Sequence, residues 1–172
     1  MKINKDYEAF VENVGGGLEK KIATLLFNPC FHSVCLYRLS SFLYSKKLKF
    51  NVLSKIVWYI NRLLFHVDID YRADLAGGVV LVHGLSVVIG KDVKSEGRLY
   101  VYQGVTLGGT LYGAFREDSS GKKLRMPLLK DNVRIYTGAI VVGGVIIEEN
   151  SVVKAGRIVT SDIVTAKMRG GE

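Results

Sequence analysis

Three histidines are the residues of this chain best suited to acid–base chemistry, and His83 differs from the other two. His32 stands beside Phe31 in an apolar helical stretch, and His66 marks the boundary between two sequence patterns, so structural roles are expected for both. His83 lies in the segment LVHGLSVVIG, at a position where the surrounding pattern prefers an aliphatic residue. A polar ring there either finds a partner in a core or lies at a corner that faces a cleft.

Asp68 is the carboxylate whose spacing suggests a partner for His83. It stands fifteen residues earlier, nearly one coil below if a coil takes three six-residue units, and stacked strands are about 4.8 Å apart. A carboxylate so placed could hold one imidazole nitrogen and leave the other free to act as a base. By spacing alone, an ordinary hydrogen-bonded pair is an equal alternative.

A glycine-rich segment offers a second place for chemistry. The segment YQGVTLGGT, residues 102–110, contains Thr106 and ends in Gly108, Gly109 and Thr110. Glycines at such a point let a ligand approach the backbone closely and expose N–H donors. Glycine is also common in ordinary turns, so this signal is weak when taken alone.

The elements that must position these residues follow a six-residue period. After His66, aliphatic residues recur every six positions, and a second column stands two positions further on, as expected for short strands with alternating inward side chains. A helix would repeat every ~3.6 residues. The period therefore predicts a mainly β protein, a parallel β-helix with a strand and a turn in each unit. The first column contains Ile69, Leu75, Leu81, Val87, Val93, Leu99, Val105 and Leu111, and the second contains Ile89, Val101 and Leu107.

The period breaks over residues 111–126, where the sequence becomes polar and charged. Charged side chains cannot enter a core, so this segment is predicted to leave the β-helix as a loop. The predicted organisation is a helical segment over 1–65, a β-helix domain over 66–165 that carries this loop, and a tail over 166–172. The period resumes with Val133, Ala139, Val145 and Ser151 in one column and Ile135, Val141, Ile147 and Val153 in the other.

The helical segment raises the question of a membrane. The stretch from residue 22 to residue 43 is apolar, but Pro29, His32 and Arg38 interrupt it, and no clean run of about twenty apolar residues remains. We expect packed helices, with a side that could contact the inner face of a membrane peripherally. Cys30 and Cys35 predict buried thiols in a reducing cytoplasm rather than a disulfide.

The net charge of +8 predicts an anionic partner without selecting one. The charges are scattered and no aromatic stacking surface is evident, which argues against nucleic acid. A zinc site of the kind found in β-helix carbonic anhydrases needs three histidines, whereas only His83 lies inside the repeat. No metal is therefore expected.

Several of these motifs together resemble the serine acetyltransferase family of hexapeptide-repeat acyltransferases. The resemblance covers roughly residues 67–163 and rests on VDI at 67–69, His83, VVIG at 87–90, YQGVTLGGT at 102–110 and SVVKAG at 151–156. The helical segment NPCFHSVCLYRLSSFLY is also similar to the shortened prefix of capsule- and polysaccharide-linked members. The resemblance implies a left-handed β-helix, a homotrimer with active sites between subunits, and acetyl-CoA as acyl donor.

The resemblance also implies roles for individual residues. His83 would deprotonate the acceptor hydroxyl and Asp68 would orient it. Acetyl-CoA would be bound by two glycine-containing segments and by a basic tail residue. These cofactor-binding residues would be Thr106, Gly108, Gly109, Thr110, Gly138, Ala139 and Lys167.

Departures from the family pattern concern the acceptor. Members that use serine carry an aspartate at the position of Val82, where it contacts the ammonium group of the amino acid. They also carry Arg-His-Pro after the loop, where this chain has Arg125, Met126 and Pro127. Losing the ammonium's partner should cost discrimination for serine. We therefore expect a sugar or polysaccharide-precursor hydroxyl as acceptor, with serine O-acetylation for cysteine biosynthesis as one alternative and a non-catalytic scaffold as another.

Overall fold

Four helices precede the β-structure in the computed structural model, which describes residues 1–46, 51–110, 115–117, 121 and 123–164. The predicted N-terminal helical segment and the mainly β fold class are confirmed. Among the described residues, no helix combines the length and the apolar character needed to cross a bilayer. The helices are α1 (Lys2–Asn13), α2 (Leu18–Phe27), α3 (Pro29–Ser45) and α4 (Asn51–Phe65).

Short parallel strands then wind into a left-handed β-helix with three faces. The first face contains β1, β3, β6, β11 and β14, the second contains β4, β9 and β12, and the third contains β2, β5, β10 and β13. In chain order the strands are β1 (Val67–Ile69), β2 (Val79–Leu81), β3 (Val87–Ile89), β4 (Lys94–Ser95), β5 (Leu99–Val101), β6 (Thr106–Gly108), β7 (Arg116–Glu117), β8 (Lys123–Leu124), β9 (Leu128–Leu129), β10 (Val133–Ile135), β11 (Ile140–Val142), β12 (Ile146–Ile147), β13 (Val152–Val153) and β14 (Ile158–Val159).

The six-residue columns form the core, as their spacing predicts. Val87, Val93, Leu99 and Val105 are fully buried, and so are the resumed positions such as Val133. In β3 the outward neighbour Val88 is 40% exposed between two buried residues, whereas in β2 and β5 the outward residues Val80 and Tyr100 are buried as well. The alternation in β3 is what a short strand with one face on a core requires.

The stacking of the coils departs from a uniform period at one corner. Val88 pairs with Thr106, an offset of eighteen residues, but Val67 pairs with Val87 and Val79 with Leu99, an offset of twenty. The two additional residues lie in segment 82–86, between β2 and β3. Ile69 therefore stacks on Ile89, whereas a strict six-residue column would place it on Val87. Two residues preserve the inward–outward alternation, so the sequence period passes through this corner without a visible break.

A second, larger insertion carries the predicted loop. Thr106 pairs with Ile140, an offset of thirty-four residues, so sixteen residues are added in this coil. The described part of the insertion includes the antiparallel pair β7 and β8. Arg116 in β7 donates to Asp162 Oδ1 and thereby ties the insertion to the last described coil. Residues 111–114, 118–120 and 122 of the loop, and the whole predicted tail 166–172 with Lys167, lie outside the described residues.

A buried ion pair joins the helices to the first coil. Asp6 in α1 is fully buried, and its carboxylate accepts two hydrogen bonds from Arg38 of α3, at 2.8 and 2.9 Å. The same carboxylate accepts from the backbone N–H groups of Gly78 and Val79, beside and within the edge strand β2. Arg38 also donates to the carbonyl of Leu75. The pair is therefore fully hydrogen-bonded, which a buried ion pair needs in order to be stable.

Candidate active site

The widened corner at 82–86 departs from the regular repeat by two residues. We call it, with the turns above it at 102–104 and 136–139, the histidine corner. Ser86 adopts a left-handed conformation with φ 57°, at the turn position that Gly104 and Gly138 occupy in later coils. The Ser86 N–H donates to the carbonyl of His66, which is left-handed as well. The corner is thus held in an uncommon backbone conformation by a bond to the end of α4.

His83 lies on the outside of this corner. The sequence leaves open whether the ring lies in a core or at a corner that faces a cleft. In the structure it lies at the corner: the ring is exposed and borders a cavity of about 300 Å³. This cavity lies between the corner and the helices, and Pro29, Cys30 and Leu64 are among the helical residues that line it. The His83 and Tyr102 rings contact each other in a T-shaped arrangement, with ring centroids 6.3 Å apart. An exposed imidazole beside a cleft is able to accept a proton from a bound hydroxyl.

Gly84, the residue after His83, is held by a hydrogen bond to a cysteine. The Gly84 N–H donates to Cys30 Sγ at 3.3 Å, which ties the histidine corner to the first turn of α3. Burial raises the pKa of the Cys30 thiol, so the group stays protonated at neutral pH. Since the thiolate is the nucleophilic form, Cys30 serves here as a structural contact.

Asp68 lies in the middle of β1 and is held by helix α4. Its Oδ1 accepts a hydrogen bond from Trp58 Nε1 at 2.9 Å, and its Oδ2 pairs with Arg62 Nη1 at 3.3 Å. It borders a second cavity, of about 460 Å³, which shares His66 with the first. The hydrogen bonds described for Asp68 go to α4, and the orientation of His83 by Asp68 stays a prediction. Each carboxylate oxygen carries two lone pairs and could still accept a further bond.

A second group of predicted residues gathers at the opposite edge of the first face. We call this edge, formed by residues 90–92, 108–110, 125–126 and 143–144, the loop corner. Met126 Sδ accepts a hydrogen bond from the Asp92 N–H at 3.4 Å, and a Cβ at Gly90 would lie 2.7 Å from this sulfur. Gly109, Thr110 and Arg125 are exposed here. The insertion therefore returns to the β-helix with Arg125 pointing to solvent and Met126 packed on the corner.

Gly138 and Ala139 belong to the histidine corner. Gly138 has φ 66°, and its N–H donates to the carbonyl of Gln103. Ala139 is fully buried and its N–H donates to Tyr136. Both amides are thus bonded within the chain, so the predicted contact of this turn with an acyl donor stays a prediction. Thr106, on the outside of β6, lies between the two corners.

Apart from Asp68, Thr106 and Lys167, the predicted site residues therefore fall into two clusters. Val82, His83, Gly138 and Ala139 lie at the histidine corner, whereas Gly108–Thr110, Arg125 and Met126 lie at the loop corner. From Ser86 to Gly90 the chain runs along the first face, about 13 Å at ~3.3 Å per strand residue. A single chain keeps the two clusters apart. Among the described residues, no group of three His, Cys, Asp or Glu side chains is placed to hold a metal ion.

Sequence reasoning missed Trp58 and Arg62, the partners of Asp68. They stand four residues apart in an apolar helical pattern, which places them on one helix face. The Arg62 guanidinium also lies over the Trp58 ring, 5.8 Å from its centroid. The helical spacing could have grouped these two residues, but nothing in it indicates which strand they meet.

Comparison with known proteins decides the family. No protein-family model matches the chain. A serine acetyltransferase of Synechococcus elongatus is 36% identical over 142 residues, which are 83% of this chain and 54% of the relative. A serine acetyltransferase of Helicobacter pylori is 30% identical over 151 residues, 88% of this chain and 82% of the relative. The chain belongs to the serine acetyltransferase family.

Structural comparison agrees with this assignment. The crystal structure of serine acetyltransferase from Neisseria gonorrhoeae superposes with a TM-score of 0.79 at 26% identity, covering 94% of this chain and 60% of that one. The chain spans about half the length of several serine acetyltransferases that it matches, such as the 54% of the Synechococcus protein. The expected likeness to capsule and polysaccharide members is not supported, because the relatives are named serine acetyltransferases.

Proposed function

We propose that this chain is an acetyl-CoA-dependent O-acetyltransferase in which His83 is the general base. The observation that carries the proposal is the exposed His83 ring at the widened corner, in a chain of the serine acetyltransferase family. Neither corner of the β-helix presents an activated cysteine as a competing nucleophile among the described residues, since burial raises the pKa of Cys30. Direct transfer from donor to acceptor is then the simplest reaction.

The proposed reaction transfers one proton and cleaves one thioester. His83 accepts the proton of the acceptor hydroxyl while the oxygen attacks the carbonyl carbon of acetyl-CoA. The tetrahedral intermediate collapses by breaking the C–S bond, and the CoA thiolate takes the proton back from the imidazolium. The product is an acetyl ester and free CoA. A positioned base contributes about 10²–10⁴-fold to such a step.

In this proposal Asp68 orients the His83 ring and stabilises the imidazolium that forms when the ring accepts the proton. Trp58 and Arg62 hold its carboxylate in place, so little rearrangement is needed when charge develops nearby. Removal of its charge is expected to slow the reaction less than removal of His83, because the base itself remains.

The separation of the two clusters supports a site between subunits. We propose a homotrimer in which the loop corner of one copy faces the histidine corner of the next. Such head-to-tail contacts close into a ring. The arrangement would bring Arg125 of one subunit toward His83 of its neighbour and would place acetyl-CoA between them, near Gly108–Thr110.

Serine is the acceptor that the relatives' names favour, so we propose serine O-acetylation as the first candidate. The expectation of a sugar acceptor has less support from the comparisons. One observation keeps a carbohydrate hydroxyl as a second candidate. Val82 packs against the core beside His83, where an ammonium group would need a carboxylate. Asp68 already pairs with Arg62.

Release of free CoA from acetyl-CoA tests the proposal. Purified protein is supplied with L-serine or with a panel of sugars and nucleotide sugars. His83→Ala should lower turnover by about 10²–10⁴-fold with little change in acetyl-CoA affinity. His32→Ala is the matched control, because the His32 ring bonds to the Leu25 carbonyl on the helices. Unchanged turnover in His83→Ala would show that His83 is not the base, whereas no CoA release by the unmodified chain with any acceptor would leave the non-catalytic scaffold as the better interpretation.

A further inference from the structure

Helix α4 carries its apolar side chains on the face turned away from the rest of the molecule. Ser54 and Asn61 are buried against α3, and Trp58 bonds to Asp68 of β1, so these residues mark its inward side. A helix of a water-soluble domain normally has the opposite arrangement, with the apolar face inward. The aliphatic residues of the outward side follow each other at helical spacing and are between 40% and 64% exposed: Leu53, Ile56, Ile60, Leu63 and Leu64.

Two neighbouring helices extend this apolar face. On α3, Leu39 is exposed and shares a helix face with His32, seven residues earlier, whose ring bonds to the Leu25 carbonyl. This bond brings the end of α2 to the outer side of α3. We call the exposed aliphatic residues of the three helices the helical outer surface. Those of α2 lie opposite the buried Thr24 and are at least 50% exposed: Leu18, Ile22, Leu25 and Leu26.

The size of this surface calls for a partner. Single exposed apolar residues are ordinary on any protein, but a group spread over three adjacent helices is typical of an interaction site. The polar contacts between α3 and α4 are already made on the inward side, so folding of the chain does not use the outward one. The helical outer surface is therefore available to another molecule.

Charge indicates the kind of partner. Basic residues occur throughout the chain, but segment 20–67 has eight of them and no acidic residue, whereas the other residues include sixteen basic and sixteen acidic ones. The whole formal charge of +8 thus comes from the segment that contains α3 and α4. Two arginines have partners, Arg38 with Asp6 and Arg62 with Asp68. The exposed lysines among the described residues of the segment are Lys20, Lys21, Lys46 and Lys55.

We propose that the helical outer surface binds peripherally to an anionic lipid bilayer. Helix α4 has fifteen residues, too few to cross a hydrocarbon core of about 30 Å, and it lies along the membrane surface. Its aliphatic side chains enter the boundary between headgroups and acyl chains, and the lysines meet lipid phosphates. This inference goes beyond acetyl transfer and does not depend on it.

A second copy of the chain is the rival occupant. Two identical surfaces facing each other would bring the lysines of one copy close to those of the other, and like charges repel. A bilayer with anionic headgroups carries the opposite charge. The proposed trimer uses the two corners of the β-helix, whereas Ile56 and Ile60 lie on the side of α4 opposite β1. Charge therefore favours lipid over a second copy.

Co-sedimentation of the full chain with vesicles tests the apolar part of the proposal without turnover. Vesicles of equal parts phosphatidylglycerol and phosphatidylcholine should pellet the protein, and phosphatidylcholine vesicles should bind it far more weakly. Ile56→Ser and Ile60→Ser should each lower the partition coefficient about tenfold, because each removes apolar area that the bilayer would bury. Val152→Ser is the matched control, since Val152 is 47% exposed like Ile56 but lies on the β-helix. It should leave binding unchanged.

A charge substitution tests the lysines. Lys55→Gln should weaken binding to the anionic vesicles about fivefold, and the difference should shrink as the salt concentration rises. Lys154→Gln is the control, because Lys154 is exposed on the β-helix, and it should have no effect. Thermal melts of all variants should match the unmodified chain, since every replaced side chain is exposed.

Several results would overturn the proposal. The anionic vesicles might fail to pellet the protein, might pellet the two isoleucine variants as well as the unmodified chain, or might bind no better than phosphatidylcholine vesicles. Sedimentation velocity without lipid addresses the rival occupant. A particle larger than a trimer that Ile56→Ser and Ile60→Ser both reduce in size would assign the surface to a second copy. An unchanged particle size together with lost vesicle binding is the result expected for a lipid surface.

Discussion

The helical segment buries a larger share of polar side chains than the β-helix does, although its buried residues also include apolar ones such as Phe10, Val34 and Tyr37. In the β-helix the inward positions are aliphatic, and Ser95 and Ser151 are the buried polar residues among those that the structure describes there. In the helices the buried polar residues are Asp6, Thr24, Ser33, Ser40, Ser54 and Asn61, whereas the large apolar side chains of α4 face outward. The β-helix is therefore held by apolar burial, and the helices depend more on specific polar contacts.

The contact between α3 and α4 shows how the helices do this. Ser40 Oγ donates to the Ser54 carbonyl at 2.7 Å, and Asn61 Nδ2 donates to the Ser33 carbonyl at 3.1 Å. Small side chains at these positions let the two helices approach closely. Ile60 and Leu63 of α4 remain exposed on the other side, at 40% and 57%. The site residues Trp58 and Arg62 are thus carried by a helix that is fixed through polar contacts.

Asp6→Ala should produce the largest loss of stability, because it breaks the joint between the two regions. The substitution leaves the Arg38 guanidinium and two backbone N–H groups without their partner, at an expected cost of about 3–5 kcal/mol in the free energy of unfolding. Chemical denaturation measures this directly. Lys2→Ala is the control, since it removes an exposed ion pair with Asp74 and should cost less than about 1 kcal/mol. Equal effects of the two substitutions would contradict the assigned role of the buried pair.

Leu107→Ala should have the next largest effect and tests the β-helix alone. Leu107 is fully buried on the first face, so the truncation leaves a cavity and should cost about 2–5 kcal/mol. The matched control is Ile158→Ala on the same face, where the side chain is 66% exposed and a change within about 0.5 kcal/mol is expected. The idea of a shared apolar core fails if the exposed position proves as sensitive as the buried one.

A pair of opposite substitutions in α4 should give the smallest effects and the sharpest test of the comparison. Ser54→Leu adds volume where α3 and α4 meet and should cost about 1–3 kcal/mol. Ile60→Ser places a polar group on the exposed face and should change the unfolding free energy by less than about 0.5 kcal/mol. Thermal melts of both variants decide the matter. An ordinary amphipathic helix with its apolar face inward would give the reverse order.

The sequence predicted much of the β-helix because its period reports directly on burial. Each six-residue unit places one aliphatic residue in the core, so Val93 or Val133 could be assigned without knowledge of the chain path. The widening at 82–86 was hidden for the same reason, since two residues keep the alternation. It alters which residues stack, and it lengthens the corner that displays His83.

The surroundings of Asp68 could not be predicted in this way. Its partners, Trp58 and Arg62, come from a helix whose position on β1 depends on tertiary packing. The stacking of Tyr102 on Tyr136, with ring centroids 4.7 Å apart, could not be predicted either, because the loop insertion separates these residues in sequence. An insertion removes the regular spacing that would otherwise reveal two residues in successive coils.

The pair of Asp6 and Arg38 has a consequence for how chains meet one another. Strand β2 lies at the edge of the third face and would present free backbone donors to any other strand. Asp6 occupies the N–H groups of Gly78 and Val79, and Arg38 occupies the carbonyls of Leu75 and Ala76. The side chains therefore take the place that one further coil, or the exposed end of another molecule, would fill. Stacked β-structure of this kind can otherwise grow into filaments, and here an aspartate and an arginine stop that growth at the first coil.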